Sequence, residues 1–178
     1  MARQIQIRAL ERSDHREFFD SGEPLLDVFL QQYAGQDQWR HHIAVTYVAV
    51  EDMTRIVCGF VTVAGATLDS SEALEVGAPT AGYSNVPALR VARLAVDRHF
   101  QGLGLGEQLL RYAMQLALVQ SRLAGCVGVV VDTKPSGRGF YERYGFRVLA
   151  TTRGSLADRP RQEMLYLGLG KIKAAVGE

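Results

Sequence analysis

The sequence predicts a mixed α/β fold in a single domain spanning residues 1–178. Three observations predict it. Short apolar runs, some alternating and some continuous, recur along the chain, while other segments place apolar residues at helical spacing. In the C-terminal half these patterns follow one another as strand, helix, strand, helix, strand. A glycine-rich turn stands where one strand hands over to the longer helix. Composition agrees: with 47% apolar and 22% charged residues, the chain can bury a core without disulfides or a structural metal. That apolar content excludes intrinsic disorder. The 18 Gly and 5 Pro are scattered without a period, which excludes a collagen-like or low-complexity chain. A net charge of +1 argues against a strongly basic nucleic-acid module but leaves room for a local basic face.

Ile5, Ile7 and Ala9 alternate with polar residues and read as a strand with one buried face. Ser21-Gly22-Glu23-Pro24 reads as a helix start, with Pro24 tolerated in the first turn. Leu25, Leu26, Phe29, Leu30 and Tyr33 then make one apolar helix face, and a polar stretch runs from Gly35 to His42. Ile43–Val50 and Ile56–Leu68 read as strands joined by the polar turn Glu51–Arg55. Asp69–Pro87 is expected to be a loop, either substrate-facing or a surface connection. Val91–Val96 reads as a strand, Asp97–Gly106 as a turn, and a helix begins around Gly104–Glu107 with Leu109, Leu110, Ala113, Met114 and Ala117 as its apolar stripe. Cys126–Val131 reads as a central strand, Phe140–Tyr144 as a short helix stopped by Gly145, and Phe146–Ala150 and Glu163–Leu169 as the last strands.

Cys58 and Cys126 lie far apart in apolar stretches and read as buried reduced thiols, which suits a cytoplasmic protein. Zinc-ligand spacing is absent, so no metal is expected. Neither an apolar signal core nor a run of ~20 apolar residues occurs, so no membrane association is expected. His41-His42 reads as a surface pair, and Trp39 as either a core anchor or part of an acceptor site.

The informative segment is Gln101-Gly102-Leu103-Gly104-Leu105-Gly106. Alternate glycines leave backbone N–H groups unobstructed, and the following helix N-terminus adds about half a positive charge. Together they suit a phosphate or pyrophosphate. The dinucleotide fingerprint fails because its third glycine falls on Glu107, and no Lys-Ser/Thr pair completes a P-loop. A Gly-x-Ser-x-Gly nucleophile elbow is also absent. The pattern that fits is (Gln/Arg)-x-x-Gly-x-(Gly/Ala), met by Gln101, Gly104 and Gly106.

This pattern resembles the acyl-CoA pyrophosphate loop of the GNAT N-acetyltransferase superfamily. Arg93-Leu94-Ala95-Val96-Asp97 resembles the strand leading into that loop. Phe140-Tyr141-Glu142-Arg143-Tyr144-Gly145-Phe146 resembles the family's Phe-Tyr-Glu-x-x-Gly-Phe signature. The resemblance covers nearly the whole chain, with Val91–Phe146 its diagnostic part. It implies a mixed, mostly antiparallel sheet of six or seven strands with helices on both faces. It also implies an enzyme that moves an acetyl group from acetyl-CoA to a primary amine by direct attack.

By that resemblance, backbone groups of Leu94, Ala95 and Val96 would hold the pantetheine arm, and the N–H near Leu94 would polarise the thioester carbonyl. Backbone amides of Gln101, Gly102, Leu103, Gly104, Leu105 and Gly106 would hold the pyrophosphate. Tyr141 matches the tyrosine that protonates the leaving thiolate, with Tyr144 the runner-up donor. Glu72, Glu75 and Asp97 are candidate bases by chemistry alone, with Asp97 read first as a turn residue. Lys134 stands where many members have Asn, and Pro135, Gly137 and Gly139 imply a late start for the tyrosine's helix.

Ser21-Gly22-Glu23-Pro24-Leu25-Leu26-Asp27-Val28-Phe29-Leu30 resembles the Cys-Gly-x-x-x-Leu-Asp-x-Phe-Leu segment of one GNAT branch, with Ser21 in place of Cys. That branch contains the acetyltransferase toxins of toxin–antitoxin pairs, which acetylate aminoacyl-tRNA. It implies a DNA-binding antitoxin as partner, a homodimer, and a basic face, for which Arg90, Arg93, Arg98, Arg111, Arg138 and Arg143 are the candidates. Two alternatives stay open: a GNAT enzyme for a polyamine, antibiotic or protein amine, and a non-catalytic CoA-binding module.

Overall fold

The computed structural model describes residues 4–149 and 162–177. Its strands are β1 (Ile5–Ala9), β2 (Val45–Glu51), β3 (Val57–Asp69), β4 (Asn85–Val96), β5 (Gly128–Thr133), β6 (Arg147–Val148) and β7 (Glu163–Gly168). They form a seven-stranded sheet in the order β1-β2-β3-β4-β5-β7-β6. The helices are α1 (Pro24–Val28), α2 (Ala34–Gln36), α3 (Ser70–Glu75), α4 (Leu105–Leu123), α5 (Arg138–Glu142) and α6 (Leu169–Val176). The chain divides into two compact units, Met1–Ala64 with Val91–Ala113 and Gly65–Arg90 with Met114–Glu178.

In the first unit, β1 pairs antiparallel with β2 from Ile5 opposite Glu51 to Ala9 opposite Tyr47. β2 pairs antiparallel with β3, and Thr46 and Thr62, opposite each other, share a buried 2.8 Å hydroxyl hydrogen bond. Two β-branched polar residues thus satisfy one another where water is excluded. The core gathers Leu10, Phe19, Phe29, Leu30, Val48, Val57 and Phe60, all buried. Phe60 packs edge-on against Phe19 with ring centroids 5.5 Å apart. Each such side chain contributes about 1.5–3 kcal/mol by leaving water. The buried Asp14 carboxylate takes two hydrogen bonds from Arg8, at 2.7 and 2.8 Å, and one from Arg55 at 3.2 Å.

The polar stretch Gly35–His42 is helical, which its composition concealed. From Pro24 the helix continues through a π-helical turn at Phe29–Tyr33, α2, and a second π-helical turn at Asp37–His41. It ends at His42, whose φ of 55° lies in the left-handed region. The wide turns break the 3.6-residue apolar pattern on which a sequence reading depends. Trp39 lies over Gly35: a Cβ there would sit 2.6 Å from the indole Cζ3.

In the second unit, β5 and β7 pair antiparallel from Gly128 opposite Gly168 to Thr133 opposite Glu163. A Cβ on Gly128 would meet the Leu167 carbonyl and lie 2.7 Å from the Tyr166 ring, so only glycine fits. The Tyr166 hydroxyl donates to the Val127 carbonyl at 2.9 Å. Leu68, Ala73, Val86, Ala88, Val130 and Tyr166 belong to this unit's core. The expected loop Asp69–Pro87 contains α3 and the start of β4. Its signal is a capping box: Asp69 accepts from the Glu72 amide, and the Glu72 carboxylate accepts from the Asp69 amide. Leu169, expected to end a strand, instead begins α6. Cys58 and Cys126 are buried free thiols. Ala150, the predicted end of the strand from Phe146, lies outside the described residues.

Candidate active site

The first unit holds the glycine-rich turn. β4 leads to Asp97, whose amide donates to the Cys58 carbonyl at 2.9 Å. Asp97 is buried and accepts from the Asp20 amide at 3.0 Å, the His99 amide at 2.9 Å and the His99 ring Nδ1 at 2.8 Å. Burial works against its charge, but these hydrogen bonds outweigh burial and hold the carboxyl below the usual carboxylate range. Asp97 is therefore a hub for the turn and not a proton acceptor. Glu72, the other buried candidate base, is occupied by the α3 capping box.

The Gln101 side chain donates to the Val96 carbonyl at 2.8 Å and the Ser21 carbonyl at 3.0 Å. It acts as a latch that fixes the start of the turn. Gly102 and Gly104 have φ of 77° and 80°, and no atom lies within 4 Å of where their Cβ atoms would be. Left-handed backbone with open space beside it is the geometry of an anion-binding nest. Among the described residues no backbone carbonyl accepts from the amides of Gly102, Leu103 or Gly104. α4 follows at once with 19 residues, so its positive end faces the same turn. The Leu105 side chain is buried in the core, leaving its amide as what it can present, whereas Leu103 is exposed. The residues present thus fit a pyrophosphate.

Gly59 on β3 escaped the sequence reading. A Cβ there would lie 3.0 Å from Leu109 Cδ1 and 3.2 Å from the Ala95 carbonyl. Its absence lets α4 settle close to the strand that carries Leu94, Ala95 and Val96. Ala95 is buried, and Leu94 and Val96 are half-buried. The Val96 carbonyl already accepts from the Gln101 side chain.

The second unit holds Tyr141, on α5. This helix begins after a 3₁₀ turn at Pro135–Gly137, the late start its glycines imply. Tyr141 is 8% exposed. Its ring packs edge-on against Phe140 at 5.0 Å and Phe146 at 5.6 Å. It is Tyr141 that packs beside Phe146, while Tyr144, the runner-up donor, packs on Phe140 at 5.3 Å. Burial pushes the Tyr141 phenol up to about 12. Among the described residues its hydroxyl has no hydrogen-bond partner, so the proton is available to an incoming group.

The expected basic face is largely neutralised. Arg90 pairs with Asp132, Arg98 with Asp20 at 3.2 Å, Arg111 with Glu107 at 2.9 Å, and Arg138 with Glu142 at 2.7 Å. Arg93 lies over the Phe29 ring at 3.8 Å, and Arg143 over Phe140 at 5.6 Å.

Residues 42–148 match the acetyltransferase (GNAT) domain family. A tRNA-acetylating toxin of Mycobacterium tuberculosis is 30% identical over 152 residues, which covers 81% of this chain and 85% of that protein. The toxin AtaT in complex with acetyl-methionyl-tRNAfMet superposes with a TM-score of 0.79 at 24% identity, covering 97% of this chain and 99% of that one. A tyrosine-to-phenylalanine mutant of AtaT, bound to the C-terminus of the antitoxin AtaR and to acetyl-CoA, superposes with a TM-score of 0.76 at 22% identity, covering 98% and 99%. The glycine nest at the head of α4 and the Phe-Tyr-Glu turn thus lie within one matched stretch, and the chain belongs to the GNAT family of N-acetyltransferases.

Proposed function

We propose that this enzyme transfers the acetyl group of acetyl-CoA to the α-amine of aminoacyl-tRNA. The observation that carries the reading is the 30% identity to a tRNA-acetylating toxin across 81% of this chain. Both units act together in this reading as one catalytic domain.

Acetyl-CoA supplies an activated acetyl group. The amides of Gln101, Gly102, Leu103, Gly104, Leu105 and Gly106 hold its pyrophosphate, while backbone groups of Leu94, Ala95 and Val96 hold the pantetheine arm. The N–H near Leu94 polarises the thioester carbonyl. The amine nitrogen forms the new C–N bond, the C–S bond breaks, and the amine gives up one proton. The leaving sulfur gains one, and Tyr141 stands as its donor. With its phenol pushed up to about 12, Tyr141 stays protonated throughout the working range. Full transfer to a thiolate whose thiol lies near ~8.5 would be uphill by about three pKa units, or ~4–5 kcal/mol. Tyr141 therefore acts chiefly by a strong hydrogen bond to the departing sulfur, and regains whatever proton it lends. The α-amine of an amino ester is less basic than a lysine amine, so the reaction proceeds without a dedicated base.

The reading extends to partners and place. A DNA-binding antitoxin and a second copy of this chain are its expected protein partners, in keeping with the antitoxin carried by the AtaT complex. Charged tRNA places the reaction in the cytoplasm, and no described helix is long and apolar enough to cross a membrane. The test is transfer of labelled acetyl groups from acetyl-CoA to a bulk aminoacylated-tRNA pool, with Tyr141→Phe as control. Labelled aminoacyl-tRNA, lost in the mutant, supports the reading. No label from protein that binds acetyl-CoA overturns it.

A further inference from the structure

The arginines differ in what they meet. Arg90, Arg98, Arg111 and Arg138 each meet a carboxylate. Arg12 and Arg16 meet none among the described residues, and both lie over one indole. Their Cζ atoms stand 4.4 and 5.7 Å from the centroid of Trp39. Two like charges beside one aromatic ring repel each other, so the ring attracts what the pair itself opposes. The neighbouring acids are bonded elsewhere, Asp14 by Arg8 and Arg55, Glu11 by Arg55 and Glu17 by His15, while Asp14 and Glu17 act on Arg16 only through space. Arg16 also keeps its Nη1 buried with no hydrogen-bond partner. Arg12 is exposed and meets no carboxylate among the described residues, so its guanidinium is open to an acceptor from outside the chain.

We propose that Arg12, Arg16 and Trp39 form the surface on which the nucleic-acid acceptor docks its phosphates. The inference rests on the aminoacyl-tRNA reading and names the residues that grip its backbone. A planar guanidinium matches a phosphate with two parallel hydrogen bonds, and an aromatic ring beneath it holds that plane in place. Position supports the assignment. Phe29, which carries Arg93 on its ring, and Trp39 lie ten residues apart on the helix that runs through α1 and α2. At ~1.5 Å per residue an α-helix would span roughly 15 Å over that interval, and the π turns shorten it. Arg93 adjoins Leu94 on β4, so the helix leads from the strand proposed to hold the thioester to the arginine pair. The surface lies in the first unit together with the glycine turn. Gly35 fixes the platform, because any side chain there displaces the indole.

The test is direct binding of aminoacyl-tRNA and of uncharged tRNA across a salt series. It compares the wild type with Arg12→Ala/Arg16→Ala, and with Arg12→Glu as a variant of an exposed residue. Thermal midpoint and acetyl-CoA affinity report whether each variant is folded. Losing two phosphate contacts should weaken tRNA binding about 10-fold or more near ~0.1 M salt and lower the slope of log K against log salt by about 1.4–1.8. Arg12→Glu should weaken it further than Arg12→Ala, and the Arg→Lys pair should restore most of the slope but less of the affinity. Folded variants with unchanged affinity and slope would overturn the inference, as would a wild type that binds no tRNA. Acetyl transfer by the wild type is scored separately, so tRNA that binds but is never acetylated counts against the proposed reaction and not against the docking surface.

Discussion

The glycine turn and the Tyr141 turn solve opposite problems. At Gly102 and Gly104 the chain removes side chains and leaves open space, which the proposed mechanism gives to binding by backbone amides. At Tyr141 it does the reverse: two aromatic rings crowd a third, and the resulting burial raises the phenol to about 12. One region works by backbone exposed to a ligand, the other by a side chain withheld from water. They should therefore fail differently, the first in affinity and the second in rate.

The largest separation is expected from Tyr141→Phe. Removing the hydroxyl proposed to hydrogen-bond the departing sulfur should lower kcat by about 10²–10³-fold, while acetyl-CoA affinity, measured by titration calorimetry, falls far less. Unchanged turnover would take Tyr141 out of the mechanism. The same residue should leave a mark on stability at high pH. Its ordinary value near ~10 holds in the unfolded chain, so above that pH the unfolded state loses a proton that the folded state keeps. Stability should fall as pH rises from about 10 to about 12, by up to ~2–3 kcal/mol from this residue. Urea midpoints taken across that window check it, and Tyr141→Phe should flatten the decline. On the backbone side, Gly104→Val forces a β-branched residue into left-handed backbone at ~1–2 kcal/mol and fills the open space. Acetyl-CoA affinity should drop about 10-fold or more, and equal affinity would reject the turn as the pyrophosphate site. The smallest effect is expected from Gln101→Ala. Losing the bonds to Val96 and Ser21 at ~0.5–1.5 kcal/mol each should raise KM for acetyl-CoA several-fold. A kcat loss with KM unchanged would mean that the latch serves the second region as well.

What the sequence disclosed follows the same division. The geometry of the glycine turn was legible from its spacing: Gly102 and Gly104 do take left-handed backbone, and α4 starts at once after them. The stripe of α4, with Leu109, Leu110, Ala113, Met114 and Ala117 all buried, was legible from its period. The helix beyond Gly35 was not, because two π turns shift its periodicity and its residues are polar. α3 was hidden in a segment rich in loop-forming residues, although Asp69 and Glu72 carried a capping signal three residues apart. The charge state of the arginines was the least legible of all. Arg90 finds Asp132 and Arg98 finds Asp20 only through the fold, so arginines without a bonded carboxylate, such as Arg12 and Arg16, cannot be picked out by counting charges.

The two π turns have a consequence for length. Each wide turn fits one more residue into the helix than an α-helical path of the same reach, and a single residue of α-helix corresponds to about 100° of rotation. Removing one residue between Phe29 and Tyr33 would let that turn relax to α-helical winding, with the segments on either side near their present facing. Removing one from an α-helical stretch would instead rotate everything beyond it by about 100°. The wide turns thus act as slack in the residue count between two aromatic side chains, able to give up a residue before the direction of Trp39 changes.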